Sequence, residues 1–287
     1  MALSHLAVKG ALLFSSKANV LYDDGHHRCL MYTDLVKGSG IQSNQFLIID
    51  GNHEAVIDPG GDLTYAPLSI EISKHTNIKD LDYILASHQD PDIISALGRW
   101  LMQTNAQVVC SKLWARFLPH LASSYLDGHD GSAPLQDRIT ALPDKGQCIT
   151  LGDSDIYAVP AHFLHSVGNF QFYDAKSRIL FSGDMGASMC EGDENLAVDD
   201  FDAHVPAMKG FHQRYMCSQK ACQLWANMIR AMDVSMIVPQ HGRRFEGDNI
   251  ERFLDWVANL PCGVDLLTQG DYDFSALKGQ PRGLSSF

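Results

Sequence analysis

Residue types that bind metal ions fall at four places along the chain, each at the end of a short apolar run. His88, Asp90 and Asp92 alternate in Ser87-His88-Gln89-Asp90-Pro91-Asp92, directly after the run at 82–86. In an extended turn, a spacing of two aims all three side chains to one side. Three ionisable groups crowded at a strand end need a cation to offset their repulsion and desolvation. One of these aspartates could simply cap the following helix, but that leaves the histidine and the other carboxylate unexplained. The segment 159–165 offers His162 and His165, the segment 179–184 ends in Asp184, and 237–242 ends in His241 beside Gly242. A lone histidine after a strand is usually an ordinary surface or core residue. Four strand ends that each offer imidazole or carboxylate point to a metal site.

The elements that must position these residues can be read from pattern. The runs 29–32, 45–50 and 55–58 are short, apolar and bounded by turn residues, which predicts strands, with a hairpin turn at Asp50-Gly51-Asn52. Pro59-Gly60-Gly61 stops the last of them. Helix is predicted at 64–75. The run 82–86 reads as a buried strand, and 92–103 as one helix with Ile93, Ala96, Leu97, Trp100 and Leu101 on a single face. A strand at 107–110, helix to about 126 and a loop at 127–134 follow. A second β series is predicted at 138–142, 147–151, 155–159, 169–173 and 178–181. A long helix at 211–232, a strand at 236–239 and a helix at 249–259 complete the order. Two β-then-α halves imply two sheets packed face to face with helices outside. The expectation is an α+β fold, a four-layer αββα sandwich, forming a single domain over residues 1–287 with its core at about 25–260.

With those motifs in place, the order His-x-acid-x-Asp, His, Asp, His resembles the metallo-β-lactamase superfamily, which has the αββα fold. Ser43-Asn44-Gln45-Phe46-Leu47-Ile48 resembles its first core strand, and Val56-Ile57-Asp58-Pro59-Gly60 its Asp-x-Gly turn. Ser182-Gly183-Asp184 and Pro239-Gln240-His241-Gly242 resemble its bridging-aspartate and last-histidine motifs. The hydrolytic members carry His-x-His-x-Asp-His and usually bind zinc. Here Asp90 and Ile93 stand in place of the second and last of those histidines. Exchanging imidazole for carboxylate hardens the site and favours iron or manganese. An acid at the Asp90 position is typical of the flavodiiron branch, which reduces dioxygen or nitric oxide and has the pattern His-x-Glu-x-Asp-His. With Asp for that Glu, Pro91, Ile93 and the motif His165-Ser166-Val167-Gly168-Asn169-Phe170, the chain most resembles stand-alone oxygen-binding di-iron proteins of bacterial signalling and chemotaxis systems.

That resemblance implies one iron held by His88, Asp90, His165 and Asp184, and a second held by Asp92, Asp184 and His241, with Asp184 bridging. Ile93 has no lone pair, so the second iron would keep an open position for a small ligand. His162 competes with His165 for the ligand role. Asp58 either orients a ligand histidine or simply forms the turn before Pro-Gly.

A flavodiiron enzyme draws electrons from a flavodoxin-like module. The 28 residues after Asn259 (287 − 259) carry no phosphate-cradling glycine loop, so no bound flavin is expected. The expectation is therefore a protein with two iron ions that binds O₂, or NO, as an oxygen sensor. Its partner would be a signalling protein such as a chemotaxis receptor, or else an electron donor. The alternatives are a hydrolase using a metal-bound hydroxide, and an O₂ or NO reductase fed by a separate redox protein. The oligomeric state stays open, a homodimer included.

Composition narrows the classes further. The 22 basic and 34 acidic residues give a net charge of −12, which argues against nucleic acid and anionic membrane surfaces as partners. No apolar run approaches the roughly 18 residues a spanning helix needs, and the first residues do not read as a secretory signal. Seven scattered cysteines without a CxxC pair suit a reducing, cytoplasmic compartment. Among the remaining candidates, His26, His27 and His53 fall at loops or turns and are expected to be solvated. Cys217 and Cys222 are expected to pack. Met185, Met189, Phe170 and Phe211 either fill the core or line an apolar pocket over the metals.

Overall fold

Strand and helix periodicities along the chain assemble into two sheets and an outer layer on each. The computed structural model describes residues 18–38, 40–121, 135–190 and 192–278. The first sheet runs β1 (Ala18–Asp23), β2 (His27–Tyr32), β3 (Gln45–Asp50), β4 (His53–Ile57), β5 (Tyr83–Leu85), β6 (Gln107–Ser111) and β7 (Ile139–Leu142), hydrogen-bonded in that order. It is antiparallel from β1 to β4 and parallel from β4 to β7. The second sheet contains β8 (Gln147–Leu151), β9 (Ser154–Pro160), β10 (Phe170–Asp174), β11 (Ile179–Phe181), β12 (Met236–Val238) and β13 (Phe245–Glu246), in the order β13-β12-β11-β10-β9-β8.

Three apolar clusters define the layers. Phe46, Ile48, Phe170, Phe172 and Phe181 lie between the sheets, with the Phe46 and Phe181 rings 4.8 Å apart. Truncating one such phenylalanine to alanine costs about 3–5 kcal/mol. On the outer face of the first sheet, α1 (Asp62–Ile72), α2 (Pro91–Ile94) and α3 (Leu97–Gln103) contribute Leu68, Ile72, Ile94, Leu97 and Trp100. A short α4 (Lys112–Ala115) follows β6. On the outer face of the second sheet lie α5 (Phe201–Tyr215), α6 (Gln219–Arg230) and α7 (Asp248–Ala258). The stripe Cys222, Trp225, Ala226 and Ile229 has helical i, i+3, i+4, i+7 spacing and is buried. This is the αββα sandwich anticipated from the sequence.

The differences lie at element breaks and weak edges. The helix expected at 92–103 is two helices, because the Ala96 N–H turns to the Gly60 carbonyl at 3.1 Å instead of continuing the ladder. The helix expected at 211–232 begins ten residues earlier and breaks at Met216–Ser218, where Ser218 caps the next helix by accepting from the Ala221 N–H. Of the helix expected to reach about 126, the described part is broken: α4 gives way to a 3₁₀ turn at Leu118–His120, with Pro119 in its first turn, and 122–126 lie outside the described residues. The loop expected at 127–134 lies outside the described residues. Among the described residues, no helix is long and apolar enough to cross a membrane.

Candidate metal centre

Five of the six candidate residues lie in the turns that follow β5, β9, β11 and β12, and Asp92 lies in the first turn of α2. The first sheet supplies His88, Asp90 and Asp92, and the second supplies His165, Asp184 and His241. Asp90 occupies the N-cap position of α2 but makes no capping hydrogen bond with its side chain. Its carboxylate turns inward instead, so helix capping does not account for it.

Asp184 is the centre of the arrangement. Its Oδ2 lies 2.9 Å from His165 Nε2 and 3.6 Å from His88 Nε2, while its Oδ1 lies 3.5 Å from His241 Nε2. On the first side, Asp90 Oδ2 lies 3.3 Å from His165 Nε2 and 3.9 Å from His88 Nε2. On the second side, Asp92 Oδ2 lies 3.5 Å from His241 Nε2. The donors therefore fall into two groups, His88–Asp90–His165 and Asp92–His241, sharing one carboxylate. His162 is elsewhere: its Nε2 pairs with the Asp144 carbonyl at 2.7 Å.

Two polar atoms inside the cluster are left without protein partners. His88 Nε2 and Asp184 Oδ1 are buried and make no hydrogen bond, which is costly unless something else meets them. Burial lowers the His88 pKa, and the nearby carboxylates do not reverse this, so the ring is neutral with a free lone pair. Burial opposes charge on both His165 and Asp184, yet mutual pairing wins. Asp184 and Asp90 raise His165 to about 10. His88, His165 and His241 hold the Asp184 carboxyl well below the ordinary carboxylate range. A proton on His165 stands where a cation would balance three carboxylates. Three imidazoles and three carboxylates, with no sulfur, suit iron or manganese.

A ring of further residues aims these donors, and most were not singled out in the sequence. Ser87 Oγ meets His88 Nδ1 at 2.8 Å. The Ser87 N–H donates to Asp58 Oδ1 at 2.8 Å, and the Gln240 amide donates to Asp58 Oδ2. Asp58 thus orients His88 through Ser87, as one of its two readings anticipated. Burial pushes Asp58 up to about 8, despite the Ser87 N–H. His241 Nδ1 donates to the Gln42 carbonyl at 2.6 Å, which turns its Nε2 lone pair inward. The Gln89 amide donates to Asp90 Oδ1 at 3.2 Å and accepts from Ser166 Oγ at 2.6 Å. Of these, Asp58 was singled out by its turn motif, Ser87, Gln89, Ser166 and Gln240 were marked only by standing beside candidate ligands, and Gln42 carried no sequence signal.

The apolar surroundings divide. Phe170 and Met185 are core residues and Met189 is exposed, so these three do not form a lid. Phe211 stacks on Tyr215, and both present rings edge-on to His165 at 6.3 and 5.5 Å. Ile93 is buried directly after Asp92. His26 and His53 are exposed as expected, but His27 is fully buried, contrary to the solvated position expected for it.

The chain matches a family model and solved structures of the same fold. A family model described as ODP family beta lactamase matches residues 41–242. A solved structure described as a peroxy di-iron species of the chemotaxis sensor ODP is 36% identical, covers 87% of this chain and 97% of its own, and superposes with a TM-score of 0.76. A flavo di-iron protein from Thermotoga maritima is 19% identical, with 84% of this chain and 60% of that one covered and a TM-score of 0.67, a likeness of fold alone. An uncharacterised protein of Methanocaldococcus jannaschii is 25% identical over 226 residues, 77% of this chain and 54% of the relative. The chain therefore spans about half the length of that relative.

Proposed function

Because this chain belongs to the ODP family of beta lactamases, we propose that it is a di-iron protein that binds dioxygen and reports it to a signalling partner. The observation that carries this reading is the Asp184 carboxylate, with one oxygen toward His88 and His165 and the other toward His241. Iron bound there would supply electrons to a diatomic ligand. The rest is the work of the protein's own groups. His88, Asp90, His165 and Asp184 form one donor set, and Asp92, Asp184 and His241 the other. Ser87, Gln89 and the Gln42 carbonyl fix their directions. The Phe211 and Tyr215 rings pack edge-on against His165. Ile93 contributes no donor beside Asp92 and leaves the second set one ligand short.

Sensing suits a site built between two sheets, since a change in donor positions shifts the relation between them. A signalling protein, such as a chemotaxis receptor, is the proposed partner, and the proposed location is the cytoplasm. No flavin is assigned to the chain. The test is elemental analysis of protein made in iron-replete medium, followed by absorption spectra of reduced protein before and after O₂. Two irons per chain and a new visible band that outlasts mixing are expected, with the band weakened in Ile93→His while iron stays bound. Zinc in place of iron, or no new band, would refute the reading.

A further inference from the structure

A second group of metal-binding side chains lies at the opposite end of the sandwich. His27 and Cys29 are two residues apart on β2, so they share a face. That face is the one packed between the sheets, where Cys29 is part of the core. Asp174, the last residue of β10, meets them from the second sheet. All three are buried, with 0% exposure. Asp174 Oδ2 lies 2.9 Å from His27 Nε2 and 3.4 Å from Cys29 Sγ, and Cys29 Sγ lies 3.6 Å from His27 Nε2.

We propose that His27, Cys29 and Asp174 form a structural site for a borderline-soft divalent cation of the Zn²⁺ class, joining the two sheets at the end away from the six-residue centre. Three donors bound tetrahedrally, at about 2.0–2.1 Å for N and O and about 2.3 Å for S, lie about 3.3–3.6 Å from one another. The two distances to sulfur already match, and the N–O pair needs to open by only a few tenths of an ångström. The other ring nitrogen is also in place. His27 Nδ1 meets Asp50 Oδ1 at 3.1 Å, the carboxylate–histidine pairing that fixes a ligand imidazole. Asp174 Oδ1 is buried without a hydrogen-bond partner and offers a fourth donor if the carboxylate binds through both oxygens.

Charge balance permits the exchange. Without metal, an imidazolium on His27, the Cys29 thiol and the Asp50 and Asp174 carboxylates sum to −1. With a dication, neutral His27, Cys29 thiolate and the same two carboxylates again sum to −1. One cation thus replaces two protons, the thiol proton and the one on His27 Nε2, and no further charge is buried. Burial opposes charge on His27, but Asp174 and Asp50 raise its pKa, and burial pushes the Cys29 thiol up.

The alternative occupant is a proton alone, giving an Asp–His–Asp clasp without metal. Cobalt(II) separates the two, because a thiolate ligand adds an intense near-ultraviolet charge-transfer band that nitrogen and oxygen donors do not. The full chain, stripped with chelator and checked by circular dichroism, is titrated with Co²⁺ and then Zn²⁺. Expected are one equivalent of thiolate-bound cobalt, release of about two protons with it, and loss of the band when Zn²⁺ is added. The band should vanish in Cys29→Ser, a near-isosteric change, and persist in His88→Ala, which disables the other centre. In the His88→Ala background, Zn²⁺ should raise Tm, and adding Cys29→Ser should abolish that rise. No thiolate band with three equivalents of cobalt, or a band unchanged in Cys29→Ser, would overturn the site and leave the proton clasp.

Discussion

Two histidines three residues apart, His162 and His165, show how a local pattern leaves a choice that the tertiary structure resolves. Both follow β9, and both are ligand-type residues. His165 Nε2 reaches Asp184 and Asp90, while His162 Nε2 is used by the Asp144 carbonyl. His165→Ala should therefore lose most of the bound iron, and His162→Ala should retain it at a cost of about 1 kcal/mol for one hydrogen bond. Iron content per chain after gel filtration checks this, and equal losses in the two variants would remove His165 from the donor set. His27 carries the opposite lesson. It follows the turn residues Asp24-Gly25, which suggests exposure, yet it opens β2 and its ring turns inward between two carboxylates. Nothing local to residues 24–29 reports Asp174, which lies 147 residues further along the chain.

At the scale of elements, the sequence pattern located most strands and helices because their apolar positions repeat at the period of the element. β3 and β8 coincide with the expected 45–50 and 147–151. β1 carries no such signal: it is an edge strand without a single fully buried residue. β13 is only two residues long. The turns after the strands set the donors, and their tolerances are testable. A Cβ on Gly242, next to His241, would sit 1.9 Å from Ser188 Oγ and 2.7 Å from the Ser188 carbonyl, at φ +81°. Gly247 also has positive φ, at +54°, but a Cβ there meets nothing within 4 Å. Gly247→Ala should cost about 1–3 kcal/mol for the backbone alone, and Gly242→Ala a further 1–3 kcal/mol for the overlap. Only Gly242→Ala should also lose iron from the His241 side. Chemical denaturation with iron analysis measures both, and equal effects would show that the turn is not held by Ser188.

The link between α5 and the turn after β11 has its own pH signature. His212 Nδ1 donates to the Met208 carbonyl at 2.9 Å, and its Nε2 accepts from the Gly186 N–H at 3.0 Å, two residues past Asp184. Burial lowers its pKa to about 4. The folded state thus refuses a proton that the unfolded chain takes up near pH 6.5. The unfolded state binds more protons between those values, so stability from this group is full above about pH 6.5 and falls as pH drops toward 4, by up to roughly 3 kcal/mol. In metal-free protein, His212→Gln should flatten this part of the denaturation midpoint against pH. A parallel decline in the variant would assign the loss to other groups.

For the whole molecule, the sandwich and the proposed centre are one construction. The apolar cluster between the sheets holds two strand-end rims together, and each rim supplies three of the six donors. The fold was legible because two β-then-α halves can bury their apolar faces in few ways. The candidate positions stood out because ligand-type residues follow each of the four strands β5, β9, β11 and β12. Their supports come from distant segments: Phe211 was legible only as an apolar residue that could fill the core or border the metals, and the Gln42 carbonyl on His241 and Tyr215 beside His165 left no trace in local pattern. A cation held by both rims ties the two sheets, so its binding should stabilise the entire chain and not a single loop. At free metal about 100 times Kd, linkage gives about 2.7 kcal/mol. At about 2 °C per kcal/mol for a chain of this size, metal-stripped protein should melt about 5 °C below the iron-loaded form, with unchanged far-ultraviolet circular dichroism at 25 °C. Returning iron(II) under argon should restore the difference in the wild-type chain and not in His88→Ala. If iron leaves Tm unchanged in the wild-type chain, the six residues do not form a shared centre that bridges the sheets.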